Sequence, residues 1–188
     1  MPEAILSFDT SAAHCAVGLL WDGAIVFGET RPMTKGQAET LFGMIDQAIG
    51  DRPKTHLQKI AVGIGPGNFT GTRIAVSAAR GLALSLGIPA IGISNFDLLY
   101  APEDVPKGHH TRALPAPKDQ IYVQNYDGPT ALGPPHLEAG AETQHPVDVP
   151  KRLIAYAKLR SFQQRPAPLY VRPADAALPS EAPITLLP

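Results

Sequence analysis

Apolar positions along the first hundred residues change rhythm repeatedly, and each change marks an element. Ala4-Ile-Leu-Ser-Phe8 and Cys15-Ala-Val-Gly-Leu-Leu20 are short apolar runs. The Asp-Gly pair in Trp21-Asp-Gly-Ala24 supplies the positive φ angles of a tight hairpin into Ala24-Ile-Val-Phe27, so three antiparallel strands are predicted at the N-terminus. Ala38, Leu41, Phe42, Ile45, Ala48 and Ile49 then recur at helical spacing over about 36–49 and stop at Gly50. Ile60-Ala-Val-Gly-Ile64 reads as a buried strand. Thr72 to Leu86 holds no proline and ends at Gly87 with Pro89 beyond it, which predicts a second helix. Pro89-Ala-Ile-Gly-Ile93 follows as a fifth strand, and Ser94 can cap a short helix through Leu99.

Three meandering strands followed by helix, strand, helix, strand resemble the ribonuclease H-like unit that actin-like ATPases carry twice. The second half is patterned more weakly. Gln120-Ile-Tyr-Val-Gln-Asn-Tyr126 reads as a strand, Asp148 as the cap of a helix through Arg160, and Leu169-Tyr-Val171 as a further strand, with proline-punctuated coil between them. Residues 101–188 hold 15 of the 20 prolines but 4 of the 17 glycines, so composition shifts near Tyr100. The expected division is an N-terminal lobe over 1–100, a linker over 101–111 in which His109 and His110 are solvated loop residues, and a shortened C-terminal lobe and tail over 112–188. The expected fold class is α/β, an actin-like ATPase or ribonuclease H-like fold with one complete N-terminal lobe and a reduced second lobe.

Composition narrows the function classes. Hydrophobic residues at 44% and charged residues at 18% exclude a disordered chain and a membrane span. With 16 Lys+Arg against 17 Asp+Glu, no global field draws the chain onto nucleic acid, and an RNA contact needs a local patch. Lys151, Arg152, Lys158, Arg160, Arg165 and Arg172, with no acidic residue among them, have the composition of such a patch or of a solvated helix face. Cys15 stands alone, which excludes an intramolecular disulfide and a multi-cysteine zinc site. Met1 to Asp9 carries Glu3 and only a short apolar run, unlike a signal peptide, so the cytoplasm is the expected location.

The most informative stretch is Gly63-Ile-Gly-Pro-Gly-Asn-Phe-Thr-Gly-Thr-Arg-Ile74, a glycine-rich turn from strand to helix. Such a turn can bring backbone N–H groups and a helix N-terminus onto an anion. Three residues separate Gly67 from Gly71 where a dinucleotide fingerprint has two, and Gly71-Thr72-Arg73 lacks the lysine of a P-loop. A tight structural turn and a ligand- or partner-facing loop both remain open. Asp9-Thr-Ser11 closes the first strand, where actin-like ATPases place an acidic residue and a hydroxyl-bearing turn around metal and phosphates; Thr10 and Ser11 stand where those enzymes usually have glycine. The alternative is a hairpin turn held by an Asx-type hydrogen bond. Asp9, Thr10, Ser11, Gly65, Gly67, Thr70 and Gly71 form the candidate nucleotide or anion set. The histidines at 14, 56, 109, 110, 136 and 145 show no His-x-x-x-His pair and no Gly-x-Ser-x-Gly elbow occurs, so no metal site and no catalytic residue is assigned.

Small side chains crowd the second helix, a composition that admits close approach by another helix. The candidate partner interface is Ala38, Leu41 and Ile45 on the first helix with Thr72, Arg73, Ala75, Ala78, Ala79 and Leu82 on the second. Arg73, at the predicted helix start, opposes the macrodipole and so calls for a partner: a carboxylate of this fold, a carboxylate across an interface, or a bound anion.

Ile5-Leu-Ser-Phe-Asp-Thr-Ser11, the glycine-rich segment, Arg80-Gly-Leu-Ala-Leu84 and Ile91-Gly-Ile-Ser94 closely resemble the TsaB (YeaZ) family, and Pro168-Leu-Tyr-Val-Arg172 looks like that family's closing Pro-x-Tyr-x-Arg. The resemblance is almost continuous over residues 4–100. It implies an actin-like, two-lobed, noncatalytic partner of TsaD in bacterial tRNA threonylcarbamoyladenosine synthesis, where TsaD, TsaE and ATP complete an assembly that modifies the adenosine next to the anticodon. It further implies no intrinsic cofactor, with ATP used by the complex; contact with TsaE through the complex and with tRNA indirectly; a homodimer in isolation; and no membrane. Peptidase activity is not expected, because the His-x-x-x-His motif of TsaD-like paralogues is missing. A nucleotide-binding or hydrolysing enzyme acting alone is the alternative. The second lobe departs from the family: Pro115-Ala-Pro-Lys-Asp-Gln-Ile-Tyr122 stands where members usually show Asp-Ala-Arg-x-Gly-Glu-Val-Tyr.

Overall fold

A computed structural model describes residues 3–171. β1 (Ala4–Asp9), β2 (His14–Trp21) and β3 (Ala24–Pro32) form the antiparallel meander, with Asp22 and Gly23 at φ 53° and 81° in the hairpin. β4 (Lys59–Gly63) and β5 (Ala90–Ile93) add in parallel on the other side of β1, giving the order β3-β2-β1-β4-β5. The order of strands and helices along this half of the chain is the one expected of a ribonuclease H-like unit.

Alternation along the central strands sends apolar side chains to both faces. Leu6, Phe8, Val17, Leu19, Ile60 and Val62 face α1 (Gln37–Ile49) and α2 (Phe69–Leu86), which lie side by side. Ile5, Ala16, Leu20, Ala61, Ile91 and Ile93 face α3 (Val149–Leu159), which inserts Leu153, Ile154 and Ala157. At roughly 1.5–3 kcal/mol for each large side chain fully buried, this two-sided core is the main source of stability. α3, expected in the second lobe, thus completes the first; its apolar stripe fits the exposed half of a sheet built far earlier in the chain.

Three strands make the second sheet: β6 (His109–Ala116), β7 (Gln120–Asp127) and β8 (Thr130–Ala139), antiparallel and in that order. It joins the first lobe through Phe96, Leu99, Leu114 and Tyr126. Burial and then the charge of Asp97 push the Tyr126 phenol up. The predicted loop histidines are corrected: His109 and His110 open β6, opposite Asp127 and Tyr126. β8 lies in what the sequence reads as coil. The predicted strand at Leu169–Val171 does not form; Leu169 N–H bonds to Ile64 O, just beyond β4, at 2.8 Å.

Candidate functional site

The carboxyl ends of the neighbouring parallel strands β1 and β4 bring the turn 9–13 against the turn 64–68, the position in an α/β sheet where ligands commonly bind. Three glycines four residues apart set their separation. A Cβ at Gly63 would strike Asp9 Oδ1, one at Gly67 the Ser11 carbonyl oxygen, and one at Gly71 the Thr10 carbonyl oxygen. Hydrogen bonds close the contact: Asn68 N–H donates to Ser11 O at 2.6 Å and Thr10 Oγ1 to Gly71 O at 2.6 Å. Asn68 also caps α2, its Oδ1 accepting from Gly71 N–H at 2.8 Å. The helix therefore starts three residues before its predicted start, and Arg73 sits beyond its first turn.

Asp9 is buried and fully engaged. Its Oδ1 accepts from Ser11 N–H at 3.1 Å; its Oδ2 accepts from Ser11 Oγ at 3.0 Å and lies 2.7 Å from His14 Nε2. Asn95 Nδ2 ties the turns together, donating to Ser11 Oγ at 2.7 Å and to Pro66 O at 2.9 Å. The structure thus brings the whole candidate anion set together, but with Asp9, Thr10, Ser11, Gly65 and Gly71 buried and only Gly67 and Thr70 exposed. Next to it, burial and then the Asp9 charge push the Cys15 thiol up to about 11, so that thiol is inert at neutral pH.

Beyond the turns opens a cleft of about 1010 Å³ between the two sheets, walled by Pro66, Phe69, Leu114, Tyr122, Leu169 and Tyr170. Among its described lining residues there is no lysine or arginine, and Asp9 is the one carboxylate. The groups there able to carry positive charge are His14, engaged with Asp9, and His145, a weak countercharge for a polyphosphate. No three His, Cys, Asp or Glu side chains converge for a metal among the described residues.

Most of the candidate interface is corrected. Leu41, Ile45, Ala75, Ala78 and Ala79 are buried between the helices and their own sheet, because the apolar face of each helix is the one that loses water at least cost, and Thr72 is buried against Gly65 at the edge of the cleft. Leu82 is half-buried in the same core; Ala38 and Arg73 are exposed. The outward faces instead carry Glu39, Phe42, Gly43 and Asp46 on α1, and Arg73, Ser77, Arg80, Gly81 and Leu84 on α2. Helical periodicity held this signal, since each outward residue is offset from the buried set.

Among the described residues no carboxylate of this fold pairs with Arg73. Its guanidinium lies 3.6 Å from the Phe69 ring centre and its Nε donates to Tyr170 Oη at 2.8 Å. The basic run is largely consumed within the fold. Arg152 donates to Leu98 O, Arg160 pairs with Asp97 at 3.0 Å and Lys158 with Glu3 at 3.5 Å, leaving Lys151 and Arg165 exposed; Arg172 lies outside the described residues.

Residues 33–132 match the family described as TsaD, tRNA N6-adenosine threonylcarbamoyltransferase. The tRNA threonylcarbamoyladenosine biosynthesis protein TsaB of Buchnera aphidicola (subsp. Schizaphis graminum) is 34% identical over 101 residues, 53% of this chain and 48% of that protein. TsaB of Escherichia coli K12 is 33% identical over 92 residues, 48% of this chain and 39% of that protein. The chain spans less than half the length of these two relatives. Among solved structures, YeaZ from Pseudomonas aeruginosa superimposes with a TM-score of 0.59 at 27% identity, covering 77% of this chain and 68% of that one. An uncharacterized P. aeruginosa protein with similarity to peptidase YEAZ shares the fold with a TM-score of 0.73 at 21% identity, covering 90% of this chain and all of the other. No helix among the described residues is long and apolar enough to cross a membrane.

Proposed function

This chain belongs to the TsaB (YeaZ) family, and from that membership we propose that it is a noncatalytic subunit in the biosynthesis of threonylcarbamoyladenosine in tRNA. Its partner in this reading is a TsaD-type transferase, with TsaE and tRNA reached through the complex in the cytoplasm and ATP used by the assembly. The observation that carries the noncatalytic part is the sealed contact of the two turns. Where an actin-like ATPase holds metal and phosphates, Asp9 spends both oxygens on Ser11 and His14, and the backbone of Thr10 and Ser11 fills the space against Gly67 and Gly71.

The outward faces of α1 and α2 are the docking surface in this reading. Phe42 and Leu84 are 49% and 79% exposed, and Gly43 and Gly81 have open space where a side chain would stand, so a partner helix can approach closely. Charge supports the pairing. Arg73 and Arg80, seven residues apart on α2, stand in a stretch from Arg52 to Phe96 without any acidic residue, while α1 presents Glu39 and Asp46 at the same spacing. Two copies of the chain can therefore pair α1 with α2 reciprocally, and a partner carrying acidic residues on a helix can replace the second copy.

The test is reconstitution with the TsaD and TsaE proteins of the same source. The chain alone is expected to hydrolyse no ATP and cleave no peptide, while tRNA modification by the mixture depends on it. ATP turnover by the purified chain that Asp9→Asn abolishes would overturn the noncatalytic reading.

A further inference from the structure

One polar side chain in the wall of the cleft is buried and unmet. Gln37, the first residue of α1, is 8% exposed and lines the cleft between the sheets, yet its amide makes no hydrogen bond to any described residue. A carboxamide carries two donors and an acceptor, and burying it without partners costs stability. The polar groups around it are engaged elsewhere. Asp9 and Ser11 bond each other, His14 Nε2 lies 2.7 Å from Asp9, and Asn95 Nδ2 is held by Ser11 Oγ and Pro66 O.

The charge around the cleft is nearly balanced. α1, α2 and α3 all begin at it, at Gln37, Phe69 and Val149, and each helix start brings roughly half a positive charge. Against them stand Asp9 in the lining, Glu39 in the first turn of α1 and Asp148 at the cap of α3. Glu39 and Asp148 are exposed, so solvent screens them, and Asp9 is already bonded. With no lysine or arginine among the described lining residues, neither an anion nor a cation meets a strong field there.

We propose that the cleft binds an uncharged small molecule that presents a carboxamide edge to Gln37 and an aromatic body to Phe69, Leu114 and Tyr122. Two carboxamides pair edge to edge through two N–H···O bonds and bring no net charge. A carboxylate offers that edge acceptors only and an amidinium donors only, so each leaves part of Gln37 unmet. Water can meet the amide but gains nothing from the apolar walls, and the cleft, at about 1010 Å³, has the size and the mostly apolar lining of a small-molecule site. The site stands on Gln37 and the cleft alone and requires neither the subunit role nor the docking surface proposed above.

Benzamide, benzoate and benzamidinium share one ring and differ in charge, so titrating each into the full chain by NMR tests the site. Benzamide is expected to shift the resonances of Gln37 and Tyr122 with a dissociation constant on the order of 1 mM, as suits so small a molecule. The two ions should bind about tenfold more weakly or worse. Gln37→Leu fills the same space without the amide; it should lose about tenfold or more in benzamide affinity while its melting temperature stays level or rises, since an unmet polar group has been removed. Gln37→Glu keeps the shape with acceptors only, and should exchange benzamide for benzamidinium. Benzoate or benzamidinium binding the parent chain as well as benzamide overturns the proposal, as does benzamide affinity unaltered in Gln37→Leu or a preference unaltered in Gln37→Glu. No binding of benzamide overturns it too, leaving water as the partner of the amide, and a Gln37→Leu chain that melts several degrees lower makes the amide part of the fold instead.

Discussion

Thr10 and Gly71 meet twice: the Thr10 hydroxyl donates to the Gly71 carbonyl at 2.6 Å, and the Thr10 carbonyl oxygen occupies the space a side chain at 71 would need. Gly71 is thus explained by contact with the first strand's end without invoking a ligand.

Gly71→Ala discriminates helix propensity from this contact. Gly71 lies inside α2, where alanine would ordinarily stabilise by up to about 1 kcal/mol. The clash with Thr10 reverses the sign, and a loss of about 1–3 kcal/mol or more is expected from forced overpacking. Urea unfolding measures it; a variant as stable as the parent would show that the turns are not in contact.

Arg73→Ala should cost little stability, below about 1 kcal/mol, since its stacking on Phe69 and bond to Tyr170 are at the surface. Association with the TsaD-type partner should fall about tenfold or more if α2 is the docking face. A large drop in melting temperature with unaltered association would reverse both assignments.

Gly81→Arg and Ala79→Arg separate surface from core two residues apart. Gly81 has open space, so its variant should stay folded while self-association and partner binding are lost. Ala79 is fully buried, so its variant should not fold. Sedimentation and thermal melts of the pair give the answer; a folded Ala79→Arg with Gly81→Arg still associating would place the wrong face outward.

Cys15 predicts an alkaline weakness. Its thiol is raised from 9.0 to about 11, so its contribution is complete below pH 9 and lost as pH climbs toward 11, where the unfolded chain releases the proton first. Stability should fall over that window by about 1–3 kcal/mol on this account. Cys15→Ala, though less stable at pH 8 for its lost packing, should show a shallower decline between pH 8 and 10.5. Tyr126 and Tyr156, both raised chiefly by burial, leave part of the slope in place. An identical slope in the variant would remove Cys15 from the account.

The first lobe was legible because its strands and helices are local in period and bounded by turn residues such as Asp22-Gly23 and Gly87. β6 and β8 were not, since Pro115, Pro134 and Pro135 argue against strands. Both are edge strands of the second sheet, where a missing N–H need not break the ladder. The small residues Ala75, Ala78 and Ala79 do mark close approach, but the approaching surface is the chain's own sheet. Asp97, which takes up Arg160 from 63 residues away, lay beyond any local reading of the basic run.

The placement of α3 bears on how the protein comes into being. The first hundred residues leave the ribosome with Ile5, Leu20, Ala61, Ile91 and Ile93 on a face where Leu98 packs but whose main cover, α3, is still to come, and the small sheet is made before that cover arrives. Until Leu153 and Ile154 emerge, the nascent chain carries an open apolar sheet surface of the kind chaperones bind. A fragment cut near Tyr100 keeps that surface for good, so such a truncation will precipitate or bind a holdase where the longer chain does not.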